Sequence, residues 1–83
     1  MVMYYFIAKE DILNDDRNAW IACMGADGYG RLSMYSSFPF IYLRVEADLY
    51  RFTSTDVVHG HWLPLTLPFA QMIVATGTPM PRP

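Results

Sequence analysis

Ile41, Leu43, Val45, Ala47 and Leu49 alternate with Tyr42, Arg44, Glu46, Asp48 and Tyr50. This period of two predicts one strand, with one face on a core and the other carrying tyrosines and charges. Pro39 precedes it, where a missing N–H costs a sheet least. A second strand is predicted over residues 2–8, where Tyr4, Tyr5, Phe6 and Ile7 suit a pleated, half-buried surface. The polar run Lys9–Asn18 breaks that strand. Its apolar pair Ile12-Leu13 develops no helical stripe, so it reads as a loop with at most one helical turn, which Asn14-Asp15-Asp16 could cap.

Residues 19–24 and 31–36 flank Gly25-Ala26-Asp27-Gly28-Tyr29-Gly30. The glycines offer the positive φ values a chain reversal needs, and a β-hairpin is the leading expectation. Its competitor is a helix over 15–24 ended by Gly25, with Trp20, Cys23 and Met24 on one face. Residues 68–76 leave two readings open. Pro68 before and Gly77-Thr78-Pro79 after punctuate a helix, whereas β-branched Ile73, Val74 and Thr76 fit a buried strand. Residues 78–83 read as a proline-rich tail. The fold expected is a single domain over 1–83, small and β-rich with α+β possible: a mainly antiparallel sheet with at most one or two short helices.

Composition adds to this picture. The 83 residues suffice for one core and not for two. Hydrophobic residues make up 53% and charged residues 17%, against about 25% charged in ordinary domains. Surface is therefore expected to be hidden against a partner protein, another copy of the chain or lipid. From Val57 to Pro81 there is no Asp, Glu, Lys or Arg, which marks a buried element or a homo-oligomer interface. His59, Gly60, His61, Pro64 and Pro68 interrupt that stretch and argue against a membrane span. The net charge of −2 supplies no basic stripe, so a nucleic-acid partner is not expected. Cys23 is the lone cysteine and can form no intramolecular disulfide; a reducing compartment, the cytoplasm, is the expected location. The apolar N-terminus lacks the basic flank of a signal peptide and reads as the first strand.

Candidate chemistry is sparse. His59 and His61 would share one face of an extended segment, with Asp56 near enough in sequence to add an oxygen ligand. The pair lacks the further ligands of a recognisable metal pattern, and Gly60 suits an ordinary turn. Cys23 sits among apolar neighbours, as an inert buried thiol does. Glu46 and Asp48 read as alternating surface charges rather than an acid and base pair. Gly25, Gly28 and Gly30 have neither the Lys-Ser/Thr pair nor the strand-to-helix context of a phosphate loop, and no cofactor is expected.

The aromatic and methionine content points elsewhere. Tyr4, Tyr5, Trp20, Tyr29, Tyr35, Phe38, Phe40, Tyr42, Tyr50, Phe52, Trp62 and Phe69, with Met24, Met34, Met72 and Met80, exceed what so small a core can absorb. Exposed residues of these types recur at interfaces. The leading expectation is a protein-binding module, an adaptor or inhibitor that covers a partner's surface, with Tyr42, Arg44, Glu46, Asp48 and Tyr50 as the contact face. Small accessory inhibitors of phages and mobile elements share this profile, an association only. The alternatives are a metal- or histidine-dependent enzyme using His59, His61 and Asp56, and a self-assembling structural protein joined through the uncharged C-terminal third.

Overall fold

The computed structural model describes residues 1–34, 39–55 and 57–81. Among these, the elements run β1 (Val2–Ala8), α1 (Lys9–Leu13), α2 (Arg17–Met24), α3 (Ala26–Met34), β2 (Phe40–Glu46), β3 (Leu49–Thr53), β4 (Leu63–Pro64), α4 (Leu67–Thr76) and β5 (Thr78–Met80). The strands form one antiparallel sheet in the order β4-β3-β2-β1-β5. The small α+β, antiparallel fold expected from the sequence is the fold observed, with four short helices rather than one or two.

Strand alternation assigns the two faces of the sheet. Tyr5 and Ile7 of β1, Ile41, Leu43 and Val45 of β2, and Tyr50 and Phe52 of β3 point into the core. There they meet Ile12, Trp20, Tyr29, Leu32, Phe69, Ala70 and Ile73 from the four helices. All the helices therefore lie on one side. Ile12, Trp20, Leu43 and Ile73 are fully buried, each stabilising by about 1.5–3 kcal/mol relative to exposure. Trp20 is anchored twice: its ring meets Phe69 edge-on at 6.3 Å, and its indole N–H donates to Asp15 Oδ2 at 2.9 Å. Phe69 carries the packing on to Phe52, 5.9 Å away.

The hairpin expected from residues 19–24 and 31–36 is not formed among the described residues, which exclude Tyr35 and Ser36. Asp16 caps α2 by accepting from the N–H groups of Asn18 and Ala19, and Gly25 ends it at φ 83°. The chain then enters α3, where Gly28 and Gly30 lie inside a helix. Burial of Tyr29 and Leu32, three residues apart on one face, overrides the poor helix propensity of those glycines. The competing helix ended by Gly25 is the correct reading. In the polar run, Lys9–Leu13 is a helix, because Ile12 turns into the core.

The ten-residue alternation at 41–50 is likewise not one strand. It is a hairpin: Glu46 pairs with Leu49 across a two-residue turn, with Ala47 at φ 53°. Residues 67–76 are helical, capped by Thr66, whose hydroxyl accepts from the Phe69 N–H and donates to the Cys23 carbonyl. The proline-rich tail contributes the edge strand β5, paired with Tyr4–Phe6. Among the described residues no helix is long and apolar enough to cross a membrane; α4, at 10 residues, is about 15 Å long against a hydrocarbon core of about 30 Å.

Candidate functional site

The side of the sheet opposite the helices is where aromatic side chains collect. Alternation along β1 sends Tyr4 and Phe6 outward, and along β2 it sends Phe40, Tyr42, Arg44 and Glu46 outward. The ladder sets them side by side as Phe6 with Tyr42 and Tyr4 with Arg44. Phe6 meets Phe40 at 6.0 Å in an edge-to-face arrangement, and Phe40 meets Tyr42 at 6.3 Å. Trp62, from the connection between β3 and β4, reaches the same face. Its ring lies 6.0 Å from that of Tyr4, and the Arg44 guanidinium sits over it at 4.9 Å. Met80, the ladder partner of Tyr4, extends the face on to β5. Phe40 remains 37% exposed while the other rings are half-buried, mostly against one another.

The five residues expected to form a contact face are divided by the hairpin. Tyr42, Arg44 and Glu46 do share the open face, as β2 alternation requires. Asp48 lies in the turn, exposed. Tyr50 pairs with Val45 and faces the helices, where it packs against the core. The cause is a change of parity: a two-residue turn moves the inward positions from odd numbers on β2 to even numbers on β3. Leu49 and Arg51 are therefore the outward residues of β3 beside Glu46 and Arg44. Sequence reasoning missed Tyr4, Phe6, Phe40, Arg51 and Trp62 as one constellation. Only the β1–β2 register and the turn position bring them together.

Arg44 and Arg51 are directly opposed in the β2–β3 ladder. Both are half-buried, and neither forms an ion pair with a described carboxylate. The cation–π contact with Trp62 holds Arg44 in place without neutralising it.

On the helix side, a cavity of about 390 Å³ is lined by Cys23, Met24, Leu32, Phe52, Leu65 and Phe69, with Arg31, Ser54 and Thr66 as polar contributors. The Cys23 thiol donates to the Trp20 carbonyl at 3.2 Å, and burial pushes its pKa up. A thiol so placed is held protonated, the opposite of what nucleophilic catalysis needs. No histidine lines the cavity.

His59 and His61 are both exposed on the segment leading to Trp62. Asp56, their expected companion, lies outside the described residues. Among the described residues no group of three or more His, Cys, Asp or Glu is placed to hold a metal ion. Glu46 and Asp48, weighed as an acid and base pair, lie at the end of β2 and in the following turn, both solvated. No known protein family, curated protein or solved structure matches the chain.

Proposed function

We propose that this protein is a binding module, an adaptor or inhibitor that covers part of a partner protein's surface with the helix-free face of its sheet. The observation that carries this reading is the aromatic character of that face: Tyr4, Phe6, Phe40, Tyr42 and Trp62 stand together with no helix of the described residues over them. A two-layer fold needs only one apolar sheet face for its core, and the other is ordinarily polar. Here β1 places Tyr5 and Ile7 inward and Tyr4 and Phe6 outward, so both faces are apolar. Clustered Tyr, Trp and Phe at the centre of a patch, with charged residues around them, is the make-up of interface hot spots. The sheet edges are less suited to recognition. Each is a short strand containing a proline, Pro64 in β4 and Pro79 in β5, and proline cannot donate to an added strand.

The test compares F40S/Y42S, which strips rings from the open face, with Val74→Ser on the exposed side of α4. Cross-linking in lysate of the native host, read by mass spectrometry, should give a partner that F40S/Y42S loses and Val74→Ser keeps, with both variants folded by circular dichroism. A partner retained by F40S/Y42S refutes the proposed face. A second reading, self-assembly through the C-terminal third, rests on Leu67 and Val74 of α4, which are 48% and 41% exposed. Sedimentation equilibrium separates the two: a dimer broken by Val74→Ser and unaffected by F40S/Y42S favours self-assembly.

A further inference from the structure

The arginine pair allows the occupant of the open face to be described chemically, given that the binding-module reading holds. Like charges set directly across an antiparallel ladder destabilise a sheet, and natural strands normally place opposite charges there. Arg44 and Arg51 hold those positions, and among the described residues no carboxylate is paired to either. Glu46, two positions from Arg44 on the same face, is exposed and makes no ion pair among the described residues. Tyr4 and Trp62 flank Arg44 and remove water from one side of it. Two arginines at facing ladder positions on one side of the sheet carry guanidinium donors of the kind that match the two oxygens of a carboxylate, and partial desolvation strengthens such a bond.

We propose that Arg44 and Arg51 together seat an acidic side chain of the partner. The occupant is a protein segment that places one or two Asp or Glu residues on the arginines and apolar side chains on Phe6, Phe40 and Tyr42. Charge decides between a protein and a nucleic acid. The chain carries a net charge of −2, and Arg44 and Arg51 are the cations identified on this face. Single-stranded nucleic acid is held by a groove that tracks successive phosphates, which two arginines beside Glu46 do not supply. The pair suits one or two discrete carboxylates.

The experiment selects a phage-displayed random-peptide library on the wild type, then measures the selected peptides by fluorescence anisotropy on wild type, R44Q/R51Q and F40S/Y42S. The single variants R44Q and R51Q stand in where the double variant does not fold, and circular dichroism confirms each fold. A fluorescein-labelled oligothymidylate is measured alongside. The expected result is selected peptides that combine Asp or Glu with apolar residues and bind R44Q/R51Q about tenfold to a hundredfold more weakly, the loss expected for charged hydrogen bonds. Peptides without acidic residues, indifferent to R44Q/R51Q but lost on F40S/Y42S, overturn the carboxylate seat and leave the binding face standing. Peptides indifferent to both variants, or no selection at all, overturn both proposals. Oligothymidylate binding that exceeds peptide binding and disappears in R44Q/R51Q overturns the protein partner in favour of single-stranded nucleic acid.

Discussion

Glycine to alanine substitutions at two positions should change stability in opposite directions, and the structure supplies both signs. At Gly77, where α4 ends and the chain turns into β5, an added Cβ would lie 2.6 Å from the Ile73 carbonyl oxygen and 2.8 Å from that of Phe6. Both obstacles are backbone, one in the last turn of α4 and one in β1, and no side chain can swing away to make room. The Gly77 N–H also donates to the Ile73 carbonyl at 2.7 Å, so retreat from that oxygen stretches the bond that closes the helix. The backbone angle of Gly77, φ −84°, is open to alanine, so the effect is purely steric. Overpacking of this kind costs about 1–3 kcal/mol. For a domain of this size that lowers Tm by roughly 5–20 °C. Gly30, inside α3, has nothing within 4 Å of an added Cβ. Alanine there restricts the unfolded chain and favours the helix, a gain of about 0.5–1 kcal/mol. Thermal melts followed by circular dichroism, with urea unfolding for the free energies, measure both. A Gly77→Ala protein as stable as the wild type would refute the close packing of α4, β5 and β1.

Three further outcomes follow from the core and its neighbours. Ile73→Ala removes a fully buried side chain from α4 and should cost about 2–5 kcal/mol by urea unfolding; a loss below 1 kcal/mol would mean the helix does not pack as described. The Asp15 pKa is lowered, chiefly by the hydrogen bond from Trp20 and next by the Asp16 backbone. A carboxylate with a folded value below its unfolded one stabilises above about pH 4 and loses that contribution as pH falls through the folded value. The wild type should therefore melt above Asp15→Asn at neutral pH and converge with it in stronger acid, and parallel curves would refute the linkage. Cys23, its thiol pKa raised by burial, should react with iodoacetamide much faster in denaturant than in the native state at the same pH; equal rates would show that the thiol is not shielded.

Elements fixed by short-range interactions are legible in the sequence, and those fixed by long-range ones are not. Strand β1 was recognisable because Tyr4–Ile7 have strong β preferences and the next residues are polar. The turn at Ala47-Asp48 was hidden. Two-residue hairpins usually announce themselves with Asn-Gly or Asp-Gly, and here alanine occupies the positive-φ position. Taking Tyr50 as a polar residue and Leu49 as an apolar one then carried the apparent alternation across the reversal. In α3 the misleading signal is real chemistry: Gly28 and Gly30 do weaken a helix, and the burial of Tyr29 and Leu32 in the core outweighs them. For the open face, composition showed that aromatic side chains were in excess, while the grouping of Tyr4, Phe6, Phe40 and Trp62 depended on ladder pairing between distant segments. Arg44 was singled out from strand alternation, and Arg51 emerged as its counterpart once the register placed it opposite.

The positions of the two tryptophans have a spectroscopic consequence. Trp20 is 0% exposed between helices and sheet, and Trp62 lies on the far side of the sheet beneath the Arg44 guanidinium. One indole therefore reports unfolding and the other reports the surface. With Trp20→Phe, emission from the remaining fluorophore should shift when the open face is occupied, giving a label-free titration. With Trp62→Phe, the same titration should stay flat while the emission still follows denaturation. The protein thus carries separate optical channels for its open face and for its fold, with no dye attached.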